Sequence, residues 1–236
     1  MSELIIHHHL GLGDHLDCNG MVRYILKNTN YDKIHVFSKS NYYDMIEYMY
    51  RDEPNIHVAQ IDKKLNEDQQ VFQYVRESGI KEFLRVGFEN YPFEQEPLHD
   101  KNCWEYFYDQ VKIPYSARTD YFYFERDDEQ EDRLSKKLNP ENKPYIFVHD
   151  DKSRGYEVDR KHFLDSKLLV VENDITENIF YFTKILEEAT EIHCMESSFK
   201  SLIDLYAGTN KIFYHDFRNQ PLGNYTNKKW SVIKYD

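Results

Sequence analysis

Apolar residues recur along this chain in two alternating spacings. Residues 4–10 form a short β-prone run that ends at the turn Gly11-Leu12-Gly13-Asp14, and Leu16, Met21, Ile25 and Leu26 then fall at helical spacing over 15–27. A strand, a glycine turn and a helix therefore open the chain. The alternation continues with a strand over 33–37, a helix over 42–50, a strand over 56–61, a helix over 67–78 and a strand over 83–86. Strands that alternate with helices predict a parallel sheet joined by crossovers.

Residues 88–100 carry Pro92, Pro97 and several acids and read as a loop. A helix follows over 102–111, with Trp104, Phe107, Tyr108 and Val111 on one face. Residues 125–142 are almost wholly polar and reach Pro140 and Pro144, which predicts an interdomain connection or an exposed helix. A second series follows: strands over 145–149, 168–171, 191–195 and 211–214, and helices over 178–189 and 197–207. The expected architecture is α/β with two Rossmann-like halves, 1–125 and 126–236. No short repeat period or low-complexity tract is present.

At 236 residues the chain can bury a sizeable core. Hydrophobic residues make up 40% and aromatics 16%, a globular composition. The net charge of −12 disfavours broad binding to a nucleic-acid backbone, which needs accumulated Lys and Arg, and suits a small-molecule or glycan ligand better. Cys18, Cys103 and Cys194 are odd in number and widely spaced, which gives neither a zinc framework nor a disulfide set and points to a reducing compartment. No basic region precedes an apolar stretch at the start, and no segment approaches the roughly 18 apolar residues needed to span a bilayer. A cytoplasmic protein without a transmembrane segment is expected.

The sharpest local feature is the turn at Gly11 and Gly13, where backbone amides can approach a ligand and a helix N-terminus favours an anion. It also sets Asp14 at the carboxyl edge of the sheet, where an acid could act as general base or could simply cap the helix. The third glycine of a dinucleotide fingerprint is missing, since Cys18 and Asn19 precede Gly20. His7, His8 and His9 are consecutive, so their side chains cannot all close on one metal ion, and no metal is expected. In the second half, His149-Asp150-Asp151-Lys152-Ser153-Arg154 leaves a strand with groups able to bind a diphosphate, or forms a plain charged loop. Glu196, Ser197, Ser198 and Lys200 open a late helix, where the serines offer hydroxyls to a ligand or act as ordinary caps.

The GLGDH turn and the EIHCMESSFKSLIDLYA segment, with the VHDD loop between them, together resemble GT-B glycosyltransferases, in particular the ADP-heptose:lipopolysaccharide heptosyltransferase-like group. The resemblance implies two halves facing a cleft, an N-terminal acceptor side and a C-terminal nucleotide-sugar side, usually without a divalent metal or other cofactor. It implies Asp14 as the base of an inverting transfer. It further implies donor contacts from Gly11, Gly13, His149, Ser153, Arg154, Glu196, Ser197, Ser198 and Lys200, with His15 and Asn19 on the acceptor side. The expected partners are a nucleotide-sugar and a glycan or glycoconjugate. Glu196 stands where the family has an aspartate, and Ser198 where it has a glycine. Two rivals remain: a non-catalytic nucleotide- or glycan-binding protein on the same fold, and a methyltransferase. The methyltransferase requires an acid near residues 38–40, where Lys39 stands.

Overall fold

A computed structural model describes residues 2–88, 101, 103–164, 166–206, 208, 211–218 and 228–235. The expected loop over 88–100 lies outside the described residues apart from Phe88. The chain divides into two compact units, Met1–Glu125 and Arg126–Asp236.

In the first unit, β1 (Glu3–His7), β2 (Lys33–Lys39), β3 (Ile56–Ile61) and β4 (Glu82–Arg85) form a wholly parallel sheet in the order β3-β2-β1-β4. The two inner strands are buried almost without interruption, as strands covered on both faces must be, whereas β4 at the edge is only half-buried. The crossovers are α1 (Leu12–Asn28), α2 (Tyr43–Tyr50) and α3 (Glu67–Ser78). Helix α1 begins inside the glycine turn, because the Gly11 carbonyl already accepts the His15 amide at 3.1 Å. Ile5, Leu10, Phe37, Ala59, Ile61 and Val71 form a core on one side of this sheet.

Helices α4 (Cys103–Gln110) and α5 (Ala117–Asp120) pack on α1. Arg118 donates to Asp17 at 2.6 Å with both side chains almost wholly buried. The Asn19 amide accepts from the Tyr123 amide and donates to the Tyr123 carbonyl, both at 3.1 Å. A Cβ at Gly20 would stand 2.2 Å from the Ala117 carbonyl oxygen, so glycine is what allows the close approach.

The second unit opens with α6 (Asp128–Leu138), where Glu131 and Leu134 are buried, so the polar stretch is a half-buried helix and no linker. Arg126 pairs with Glu131 and, at 2.9 Å, with Glu187. The sheet comprises β5 (Tyr145–Val148), β6 (Leu169–Glu172), β7 (Glu191–Cys194), β8 (Lys211–Asp216) and β9 (Trp230–Lys234), all parallel, in the order β6-β5-β7-β8-β9. Two 3-10 turns stand between β5 and β6, and the helix expected over 178–189 divides into a 3-10 turn and α7 (Thr183–Glu188). Helix α8 (Ser198–Tyr206) connects β7 to β8. Among the described residues, no helix is long and apolar enough to cross a membrane.

A polar chain runs through this second core. His193 Nδ1 lies 2.9 Å from His215 Nε2, and His215 Nδ1 lies 2.7 Å from the Tyr235 hydroxyl. Burial lowers His193 to about 4, with Glu191 opposing and His162 and Arg160 adding to the effect. Burial, together with His193, His162 and Arg160 and against Asp159, lowers His215 to about 3.

Two stability measurements check this account. A histidine whose folded pKa lies below its unfolded value of about 6.5 contributes fully above that value, and the contribution is lost as pH falls towards the folded pKa. Stability is therefore expected to decline below about pH 6.5, by roughly 1.4 kcal/mol per pH unit for each of the two histidines. Relative to a His193→Phe/His215→Phe variant, wild-type urea midpoints should fall more steeply between pH 6.5 and 4; parallel curves would refute the assignment. Asp17→Ala strands a buried guanidinium and is expected to cost about 3–5 kcal/mol in urea unfolding, part of which Arg118→Met should restore.

Candidate active site

In an open parallel sheet, ligands bind beyond the carboxyl ends of the strands where the strand order reverses. In the first unit the reversal lies between β1 and β4, and it is flanked by residues 8–14 and 86–88. His9 Nε2–H donates to the Gly87 carbonyl across this point at 2.8 Å, and the Val86 amide donates to the His7 carbonyl at 2.8 Å.

Asp14 occupies the third position of α1 and is half-buried. Its Oδ1 accepts the Trp104 indole N–H at 3.0 Å, and the carboxylate also accepts the Gly11 amide. The second bond is half of a capping box, so capping and chemistry share one residue. Burial raises the Asp14 pKa and outweighs Trp104, His9, the Gly11 amide and Lys39, all of which act in the opposite direction. A raised pKa makes the ionised carboxylate a better proton acceptor. The Gly11 backbone lies in ordinary extended space, φ −76° and ψ 150°, which any residue adopts. What requires glycine is room: a Cβ there would stand 2.6 Å from Asp14 Oδ2.

Beside this carboxylate, Lys39 at the end of β2 and His7 at the end of β1 meet Glu67 at the start of α3, at 2.9 and 3.0 Å. Burial alone would raise Glu67, but these two hydrogen bonds outweigh it and hold the carboxyl at about 2. His8 donates through Nδ1 to the His9 carbonyl at 2.6 Å, and burial lowers it to about 4. The three consecutive histidines thus turn to three different partners. Among the described residues, no group of three or more His, Cys, Asp or Glu could hold a metal ion.

The two residues expected on the acceptor side lie deeper. His15 is fully buried against His8, ring centroids 4.8 Å apart, both its nitrogens lack a hydrogen-bond partner, and burial holds its pKa well below the ordinary value. Asn19 is fully buried and tied to the Tyr123 backbone. His15 thus stands beside Asp14 against the residue that follows β1, and Asn19 ties α1 to Tyr123.

In the second unit the strand order reverses between β5 and β7, and the candidate donor residues other than Gly11 and Gly13, which lie in the first unit, gather there. The Arg154 guanidinium, two-fifths exposed, donates to Asp151 and to the Glu196 carbonyl at 2.8 Å, joining the loops that follow β5 and β7. The Ser197 hydroxyl accepts the Lys200 amide at 3.4 Å in the manner of a helix cap. Lys200 is buried, its ammonium 3.5 Å from Glu196 Oε2. His149 lies against Phe199, centroids 4.6 Å apart, and burial lowers it to about 4 with Asn173, Asp151 and Asp150 opposing. Asp150 is held by the Val158 amide at 2.8 Å and by Arg160 at 2.6 Å. Ser198 opens α8, and the Ser153 side chain lies outside the described residues.

No family profile matches the sequence, and no curated protein matches it either. Solved structures do match. A glycosyl transferase of family 9 from Veillonella parvula superposes with a TM-score of 0.62 at 11% identity, covering 99% of this chain and 86% of that one. The Escherichia coli ADP-heptose LPS heptosyltransferase II superposes at 0.57 and 9% identity, covering 99% and 90%. The class of architecture is therefore a two-unit α/β fold with parallel sheets. More particularly, it is the fold that these two glycosyltransferase structures share.

Sequence reasoning placed Trp104 on one face of a helix and missed its bond to Asp14, and it did not single out Glu67 or Arg160. Their partners lie 90, 60 and 10 residues away, so no local spacing signals them.

Two glycine variants separate space from strain. Gly11→Ala should change stability by less than about 1 kcal/mol, since its backbone is unstrained, yet displace the Asp14 carboxylate and shift its NMR titration. Gly87 has φ +86° and a Cβ there would meet the Phe107 ring at 2.5 Å, so Gly87→Ala should cost about 3 kcal/mol in urea unfolding.

Proposed function

We propose that this protein is an enzyme that transfers a sugar from a nucleotide-sugar donor to a hydroxyl of a glycan or glycoconjugate, with Asp14 as general base. The observation that supports this most is the Asp14 carboxylate, of raised pKa, at the strand-order reversal of a unit whose fold is that of glycosyltransferases.

The reaction is a single displacement. Asp14 takes the acceptor hydroxyl proton as the oxygen attacks the anomeric carbon, and the bond to the nucleoside diphosphate breaks with its electron pair on the leaving group. Configuration at the anomeric carbon inverts. The first unit serves the acceptor and the second the donor.

In the second unit the N-terminus of α8, with Ser197 and Ser198, offers amides and hydroxyls to the diphosphate. Arg154 supplies exposed positive charge. Lys200, turned inward, balances Glu196, so that the carboxylate does not cancel the positive helix end. The reading requires no divalent metal, because charge on the leaving group is met by these groups.

Thermal shift with a panel of nucleoside diphosphates and nucleotide-sugars tests it. A ligand present at a hundred times its Kd stabilises the native state by about 2.7 kcal/mol, so one base-selective rise in midpoint is expected. Asp14→Asn should keep that rise and lose transfer activity by about 10²–10⁴-fold. Absence of any shift across the panel would refute the reading; a shift with undiminished transfer in Asp14→Asn would remove Asp14 from the mechanism.

A further inference from the structure

Helix α4 sits on α1 at two points one helical turn apart. The Trp104 indole donates to Asp14 Oδ1 at 3.0 Å, and the Tyr108 hydroxyl donates to the Asp17 carbonyl at 2.9 Å. Residues i and i+4 of one helix thus meet residues i and i+3 of the other, which fixes their relative register.

A third contact locks the far end of α4. The Phe107 ring fills the space a Cβ would need at Gly87, and the Gly87 amide donates to Gln110 Oε1 at 2.8 Å. Gly87 in turn accepts His9 Nε2–H and follows β4, so α4 is keyed to the strand ends beside the glycine turn. Trp104 is about nine-tenths buried, and its ring cannot turn away without breaking this packing.

We infer that Trp104 is a positioning residue for Asp14: carried by a helix held at three points, its indole N–H fixes the orientation of the carboxylate and favours its ionised form. A carboxylate at a helix start is otherwise free to rotate about two bonds, and the Gly11 amide alone restrains it on one side. The indole engages Oδ1 from the other side, so the plane of the carboxylate is set before any substrate arrives. A phenylalanine would keep an aromatic ring in part of that space and supply no donor. The positioning role rests on the reading of Asp14 as base, whereas the hydrogen bond and its electrostatic effect do not.

The test uses the full chain with 13C-labelled aspartate, the Asp14 carboxyl signal being assigned by its loss in Asp14→Asn. In Trp104→Phe the Asp14 titration midpoint should rise by about one to two pH units, the effect of removing a hydrogen bond to a charged group. The acid limb of the kcat profile for transfer should move up with it, while KM changes little. An unchanged midpoint in a folded Trp104→Phe variant would overturn the proposal. Should that variant not fold, a chain that keeps Trp104 still decides, because there are two tryptophans and Trp230→Phe leaves Trp104 as the sole indole signal. That N–H resonance must titrate with the Asp14 midpoint and lose the response in Asp14→Asn; an indole indifferent to Asp14 would overturn the proposal. Coupled titration in a protein that transfers no sugar from any nucleotide-sugar would refute the transferase reading and with it the catalytic role, leaving the hydrogen bond standing, so the two failures are told apart.

Discussion

A strand buried on both faces of a parallel sheet is closed to solvent along its length, so polar chemistry is confined to the place where its carboxyl end hands the chain to a loop. Both units obey this constraint, and in both the reversal of strand order opens the gap. In the first, the order β3-β2-β1-β4 parts the loops after β1 and β4, and His9 and Gly87 bridge them. In the second, the order β6-β5-β7-β8-β9 parts the loops after β5 and β7, and Arg154 reaches the Glu196 carbonyl. The candidate base and the candidate diphosphate groups follow from topology before any side chain is considered.

Buried charge then decides how each edge is built. Glu67 is held ionised by hydrogen bonds from Lys39 and His7, and Asp14, whose hydrogen bonds come from the neutral Trp104 indole and Gly11 amide, is pushed towards its neutral form by burial. Two carboxylates on one sheet edge thus differ in proton affinity because of what surrounds them. Asp17 and Arg118 settle the same problem deeper down by pairing, and in doing so hold α5 against the back of α1.

Much of this was legible in the sequence. The strand Ile56–Ile61 and the helix Glu67–Ser78 stand where the apolar period put them, and Asn66 caps the helix by accepting the Gln69 amide. Strand β9 was missed because it lies at the sheet edge: no position from Trp230 to Lys234 is buried, so its alternation of apolar and polar residues carries no clear signal. The helix read over 178–189 begins as a 3-10 turn, in which the Asn178 carbonyl accepts the Tyr181 amide at 3.0 Å and the Asn178 side chain accepts the Phe180 amide at 3.1 Å. The second half also does not copy the first, because its strand order reverses after two strands instead of three. At the sites, the glycine turn and the serine helix start were readable as local patterns. Trp104 was not, since a tryptophan at helical spacing looks the same whether or not its indole nitrogen has a partner.

The chain of His193, His215 and Tyr235 has a consequence of its own. A neutral imidazole carries one proton on two nitrogens, so His215, bonded on both sides, must donate on one and accept on the other, and the row has a direction. The direction set by the Tyr235 hydroxyl is imposed on both imidazoles, and none can reverse alone. The residue just beyond the edge strand therefore selects the tautomers at the middle of the sheet, and β9 is fastened to the core by a sense of orientation as well as by contact.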